Sequence, residues 1–281
     1  TSITSMVMHA LKANGLQFDY LVGAAVKGFD TAVKLSDDAP IIVLEGDEYL
    51  ASPLHKESKF MFYHPHVALV SGIAWDHINV FPVYEGYVNQ FAKFMDTVSE
   101  DMVYFEGDKE MQTIVANYKG TARIHPYNTP KYKVVNEQTV IEAEQDYALK
   151  VFGEHNLQNI EGARLVCESL GVTKADFYSA IQSFEGAANR LQKLAENEKT
   201  VIFKDFAHSP SKLQATVKAA RTQYAHRKII AVMELHTFSS LNKDFWAEYE
   251  GSMNEADVAI VYVDKETLAL KRMPDLNIEE V

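Results

Sequence analysis

The chain is nearly free of cysteine. Cys167 stands alone in 281 residues, so no internal disulfide is available. Its place in an apolar helical pattern marks a buried structural thiol rather than a nucleophile. No run of about 18 apolar residues occurs, which excludes a membrane-spanning helix. Positive charge is short: 27 Lys and Arg stand against 39 Asp and Glu, a net charge of −12. That balance argues against a general nucleic-acid or anionic-membrane surface and leaves room only for a local basic pocket. No G-x-S-x-G string is present, so Ser239 and Ser240 near His236 do not read as a hydrolase nucleophile. No signal-peptide pattern, internal repeat or low-complexity segment is visible. A reducing cytoplasm is the expected location.

What is present is a globular composition, 47% apolar and 23% charged, in which short β-rich runs alternate with amphipathic stretches. "TSITSMVMHALKANG" reads as a helix stopped by Gly15. "IIVLEG" (41–46), "VALVSG" (67–72) and "DMVYFEG" (101–107) read as buried strands. Residues 83–98 read as a helix with Tyr84, Val88, Phe91, Met95 and Val98 on one face. This alternation predicts an α/β fold with a parallel sheet covered by helices. "YKGTARIHPYNTPKYKVV" reads as a meander off that sheet. Helices return after Gly153, the second of them capped by Thr173. A second α/β unit follows a small, turn-prone stretch near 184–189. Its strands are 200–206, "KIIAVMEL" and "VAIVYV", and its helix starts at Ser209 and Pro210.

Several strand ends carry polar groups where parallel sheets place ligands. Glu45, Asp47 and Glu48 follow the first strand, as a magnesium site or an acidic loop. Asp76 and His77 follow the next, as a second metal ligand or as a cap and a satisfied histidine. His64 and His66 share one face of an extended segment but lack a third partner for zinc. Asn156 and Asn159 lie three apart on one helical face, suited to an adenine edge or to capping. Arg190 fits a phosphate charge or a plain surface. Asp205 and His208 sit between a strand and a helix N-terminus, as ligand groups or as a cap and a bystander.

Taken together, the strings E-x-D-E-Y (45–49), D-H (76–77), F-G-x-H-N-x-x-N (152–159), N-R (189–190), D-F-A-H-x-P (205–210) and H-T-x-S-S (236–240) resemble the Mur ligase family across nearly the whole chain. "DEY", "KESKF" (56–60) and "DFAH" resemble its murein peptide ligase branch. The resemblance implies a central P-loop-type parallel-sheet ATPase domain over 1–185, without its leading strand and most of its phosphate loop. It implies a shortened Rossmann-like C-terminal domain over 186–281.

The resemblance further implies an ATP-dependent ligase that joins L-Ala-γ-D-Glu-meso-diaminopimelate to UDP-N-acetylmuramate through an acyl phosphate in peptidoglycan recycling. The alternatives are an alanine-adding ligase of peptidoglycan synthesis and a non-catalytic nucleotide-binding fragment; the 281 residues alone are expected to be inactive. By the same resemblance, Thr1 and Glu45 hold one Mg²⁺ and His77 a second. Asn156 and Asn159 read adenine, Arg190 reaches the γ-phosphate, Asp205 the ribose, and His208 and Ser239 lie near the incoming amine. The position of the carbamylated lysine found in several relatives corresponds to Phe91, with Lys93 displaced by two, so no carbamate is expected. A monomer or weak dimer, with no nucleic-acid or membrane partner, completes the expectation.

Overall fold

The computed structural model describes residues 1–52, 54–55, 57–75, 80–237 and 240–270. It divides into two compact units. The first holds residues 1–133, 140–151 and 155–188; the second holds 134–139, 152–154 and 189 onward.

The first unit opens on α1 (Ser2–Ala13), whose Met6, Val7, Met8, Ala10 and Leu11 are buried. The helix ends as its sequence predicts. Gly15 takes φ +70, its amide donates to Lys12 O, and the Leu16 amide reaches back to Leu11 O. This is a Schellman end, which needs a residue tolerant of left-handed backbone. Next come β1 (Asp19–Leu21), β2 (Val33–Lys34) and β3 (Ile42–Leu44), in sheet order β2-β1-β3 with β1 and β3 parallel. The strand expected over 41–46 is shorter than its apolar run and half exposed, because β3 is an edge with one partner.

A second sheet holds β4 (Val67–Val70), β5 (Asp101–Phe105) and β6 (Arg123–Tyr127), all parallel, in that order. Between β4 and β5 runs α2 (Tyr84–Met95), and between β5 and β6 runs α3 (Lys109–Asn117). Two expectations are corrected here. The start of the supposed meander, 123–127, is a parallel strand of the main sheet, bonded to β5 along five residues. The buried arc of α2 includes the expected Phe91 and Met95 but widens to Tyr87 and Phe94, while Tyr84 and Val88 are only partly buried. The rings of Tyr87 and Phe94 dock on Phe81 and Phe60, which draws the helix round toward them.

The separate sheet follows: β7 (Tyr132–Val135), β8 (Gln138–Glu142) and β9 (Asp146–Ala148). Its first turn, Asn136–Glu137, has φ of 51 and 59, the left-handed pair of a two-residue hairpin. Helices α4 (Glu154–Ser169) and α5 (Lys174–Ile181) finish the unit, and Thr173 caps α5 by accepting from the Asp176 amide. Gly162 lets α4 lie close on the sheet: a Cβ there would meet Leu69 Cδ1 at 2.7 Å and Tyr127 Cζ at 2.9 Å. Cys167 is fully buried, and burial pushes its thiol up to about 12, as its pattern predicts.

In the second unit β10 (Gln192–Glu196) pairs antiparallel with β11 (Val201–Lys204). Helix α6 (Pro210–Gln223) leads to β12 (Ile230–Glu234), which pairs in parallel with β13 (Val258–Tyr262) before the short α7 (Lys265–Leu270). Leu213 and Val217 of α6 pack on Met233 and Leu235. Ser209 precedes α6 as expected, with Pro210 in the first turn. Its hydroxyl makes no capping bond and is buried without a partner among the described residues. The tip 134–139 is bonded within this unit: the Glu137 carboxylate accepts from Nε and Nη2 of Arg227, and Gln223 bonds Thr139 and Glu137 O. Among the described residues, no helix is long and apolar enough to cross a membrane.

Candidate functional site

In the first unit the polar groups expected around one magnesium ion meet directly. Glu45 lies just past β3, at the carboxyl end of a strand parallel to β1. Thr1 stands at the start of α1. The Thr1 hydroxyl donates to Glu45 Oε1 at 2.5 Å, and the Gly23 amide, just beyond β1, donates to Oε2 at 2.6 Å. A Cβ on Gly23 would crowd that carboxylate at 3.1 Å, so the turn after β1 is shaped to its backbone. Burial acts to raise the Glu45 carboxyl, and the bonds it accepts from the Thr1 hydroxyl and the Gly23 amide act to lower it. The result is a carboxylate and a hydroxyl, both hard oxygen donors, side by side at the ligand edge of a parallel pair.

The neighbouring acid has another task. Asp47 takes Lys59 Nζ at 2.6 Å and the Tyr49 amide at 2.9 Å, which shapes the loop after β3. Asn156 and Asn159 both lie in the first two turns of α4; Asn156 is buried and Asn159 is partly exposed. His77, the expected ligand of a second ion, lies outside the described residues, as do Asp76 and Ser239. His64 takes φ 43 in the loop before β4. Among the described residues, no group of three or more His, Cys, Asp and Glu side chains could hold a metal.

In the second unit the expected residues gather on a ring that sequence reasoning gave no role. Asp205 follows β11. It accepts from the Leu191 amide at 3.1 Å, the Phe206 amide at 2.8 Å and the Thr216 hydroxyl. These bonds tie the 189–191 turn, where Asn189 and Leu191 have φ of 56 and 44, to the strand end and to α6. Such left-handed backbone is uncommon outside glycine and persists only where its surroundings fix it. Between those two residues stands Arg190, its guanidinium carbon 5.6 Å from the centre of the Phe206 ring.

His208 packs on the same ring at 4.6 Å and His236 at 5.7 Å. Each imidazole donates Nδ1–H to a carbonyl, His208 to Phe206 O at 3.0 Å and His236 to Glu234 O at 3.1 Å. Because a carbonyl only accepts, these bonds fix the tautomer and turn Nε2 outward from each bond. The Tyr249 hydroxyl bonds His208 O at 2.5 Å. Arg190, Asp205 and His208 are thus assembled as neighbours. Phe206, the residue that joins them, carried no signal beyond its place inside the D-F-A-H string.

Comparison with known proteins adds to this geometry. Residues 189–275 match the family described as Mur ligase, glutamate ligase domain. Over 273 residues the chain is 28% identical to the UDP-N-acetylmuramate–L-alanine ligase of Streptococcus pyogenes serotype M2, covering 92% of this chain and 57% of that protein. Among solved structures it resembles the UDP-N-acetylmuramate–alanine ligase of Thermotoga maritima, with a TM-score of 0.67 at 17% identity over 99% of this chain and 67% of that one. It also resembles a murein peptide ligase of Psychrobacter arcticus, with a TM-score of 0.59 at 20% identity over 92% and 60%. The structural likenesses speak for the fold. The chain spans 53% to 62% of the length of the first curated relatives it matches. The domain match over 189–275 and the chain-long sequence similarity agree, and both liken this chain to the Mur ligases.

Proposed function

We propose that the full-length protein is an ATP-dependent ligase that forms an amide bond between the carboxylate of UDP-N-acetylmuramate and the amine of L-alanyl-γ-D-glutamyl-meso-diaminopimelate, in peptidoglycan recycling. The observation that carries this reading is the Thr1–Glu45 contact at 2.5 Å. Paired hard oxygens at the carboxyl edge of parallel strands suit a hard cation such as magnesium. Thr1 and Glu45 would hold the first ion and His77 a second. Bound there, magnesium would offset phosphate charge during acyl activation.

The remaining residues bind and orient. Asn156 and Asn159 would read adenine. Arg190 would face the γ-phosphate, where guanidinium offsets growing charge. Asp205 accepts three bonds within its own unit. A carboxylate has about four acceptor sites, which leaves one for a ribose hydroxyl. His208 would lie near the incoming amine. Catalysis of this kind rests on placing reactants and offsetting charge. Such soluble substrates suit a cytoplasmic protein, acting as a monomer or weak dimer.

A second reading has its own support: the curated relative above is named for L-alanine. The "DFAH" string at 205–208 favours the peptide. The deciding experiment is ADP release by the full-length protein with UDP-N-acetylmuramate and either the tripeptide or L-alanine. Turnover with the tripeptide and not with alanine is expected. Turnover with alanine alone would replace the first reading by the second, and release with neither would remove both.

A further inference from the structure

Three groups able to carry positive charge lean on one half-exposed ring. Phe206 is 44% exposed, too open to be explained as core. It meets Arg190 at 5.6 Å, His208 at 4.6 Å and His236 at 5.7 Å. Arg190 is partly exposed and makes no hydrogen bond or ion pair with any described residue, so none of its five donors is spent on one. An arginine without a carboxylate partner is held in place here by the face of an aromatic ring, within the range where cation–π attraction acts. The turn that presents it is fixed from both sides by left-handed Asn189 and Leu191, and from below by Asp205. His208 and His236 each spend Nδ1 on a carbonyl, which fixes their ring planes as well.

Four side chains from three separate stretches thus share one anchoring surface. Arg190 comes from the turn before β10, Phe206 and His208 from the end of β11, and His236 from the end of β12. The Arg190 guanidinium, without a carboxylate partner among the described residues, is the donor here that recognises an anionic oxygen, and the two imidazoles pack beside it on the same ring.

We propose that Phe206 is a positioning residue. Its ring holds Arg190, His208 and His236 in one cluster that receives an anionic oxygen, of a nucleotide phosphate or of the incoming substrate's carboxylate. The role in turnover rests on the ligase reading; the cluster and its anion affinity do not. Removing the ring while keeping an apolar side chain lets Arg190 swing away, and misplacement of this kind costs on the order of 10- to 100-fold in rate.

The test has two parts. On the 281-residue chain, proton NMR follows the imidazole Hε1 signals of His208 and His236 and the Arg190 Nε–H signal, and inorganic tripolyphosphate is titrated in. In Phe206→Leu these signals lose their ring-current displacement and tripolyphosphate binds at least several-fold more weakly. In Phe206→Tyr both features return. In the full-length protein, Phe206→Leu lowers kcat about 10- to 100-fold with an unchanged melting temperature, and Phe206→Tyr recovers most of it. A rise in KM for ATP alone assigns the oxygen to phosphate; a rise for the amine substrate alone assigns it to a carboxylate.

Unchanged NMR signals in Phe206→Leu would overturn the contact. Equal tripolyphosphate binding would overturn the anion cluster. A drop in melting temperature that tracks the loss of kcat would reduce Phe206 to a packing role. If the unaltered full-length protein releases no ADP, the ligase reading fails while the NMR titration still decides the cluster.

Discussion

The hydroxyl of Thr1 and the carboxylate of Glu45, 44 residues apart in the chain, meet at 2.5 Å. The contact joins the start of α1 to the end of β3, and the Gly23 amide takes the other carboxylate oxygen. Residues that share one task behave as a unit when removed. In the full-length protein, Thr1→Val and Glu45→Gln should each raise the magnesium concentration needed for half-maximal turnover. Each should cost about 10- to 100-fold in kcat. The double variant should cost little more than the worse single one. Steady-state ADP release against magnesium concentration checks this, and fully multiplicative losses would separate the two residues.

Gly162 should not tolerate a methyl group. A Cβ there comes within 2.7 Å of Leu69 Cδ1 and 2.9 Å of Tyr127 Cζ, on the face where α4 lies against β4 and β6. Alanine favours a helix by itself, by up to about 1 kcal/mol over glycine. Overpacking of a core costs about 1–3 kcal/mol and opposes that gain. Gly162→Ala is therefore expected to destabilise the chain in urea unfolding. A higher midpoint would mean that Leu69 moves aside freely.

Asp101 predicts an acid limb. It is 3% exposed and takes Arg123 at 2.7 and 2.8 Å and His125 at 2.6 Å. The Arg123 guanidinium bonds hold its carboxyl below the ordinary range, against burial, with His125 helping. The unfolded chain therefore takes up the proton first, near pH 4. The stabilisation is complete above that pH and is lost as pH falls through the folded value. Asp101→Asn should lower stability by about 1–3 kcal/mol at pH 7. The stability gap between the two proteins should narrow as pH falls below the ordinary carboxylate range. A constant gap across that window would assign the loss to packing instead.

Cys167 should be silent in the native protein. It is 0% exposed and burial pushes its thiol up to about 12, so no thiolate is presented at neutral pH. Iodoacetamide at pH 8 is expected to label it only in guanidinium. Rapid labelling of the folded chain would place the thiol at the surface.

Local chemistry was legible in the sequence wherever one residue type decides the backbone. Gly15 ends α1 because a left-handed residue was required, and Thr173 caps α5 because a hydroxyl was needed three residues before an amide. Strand β10 was not legible. Its "QKLAE" is almost wholly exposed and lacks a buried face to impose a two-residue period. The placement of β6 escaped for a related reason: "RIHPY" holds Arg, His and Pro in place of an apolar run, and only its bonds to β5 put it in the main sheet. Ser209 had the right type and position for a cap, yet its hydroxyl found no partner among the described residues.

The amino-acid sequence by itself determined the α/β alternation, the buried thiol, and the residues gathered at the strand ends, because periodicity and residue chemistry act over a few neighbours. Only the tertiary structure decided that Thr1 reaches Glu45, that Asp205 spends itself on Leu191, Phe206 and Thr216, and that Arg190, His208 and His236 share the ring of Phe206. Those contacts join residues far apart along the chain. Their distances depend on strand pairing and helix packing, which no short stretch of sequence contains.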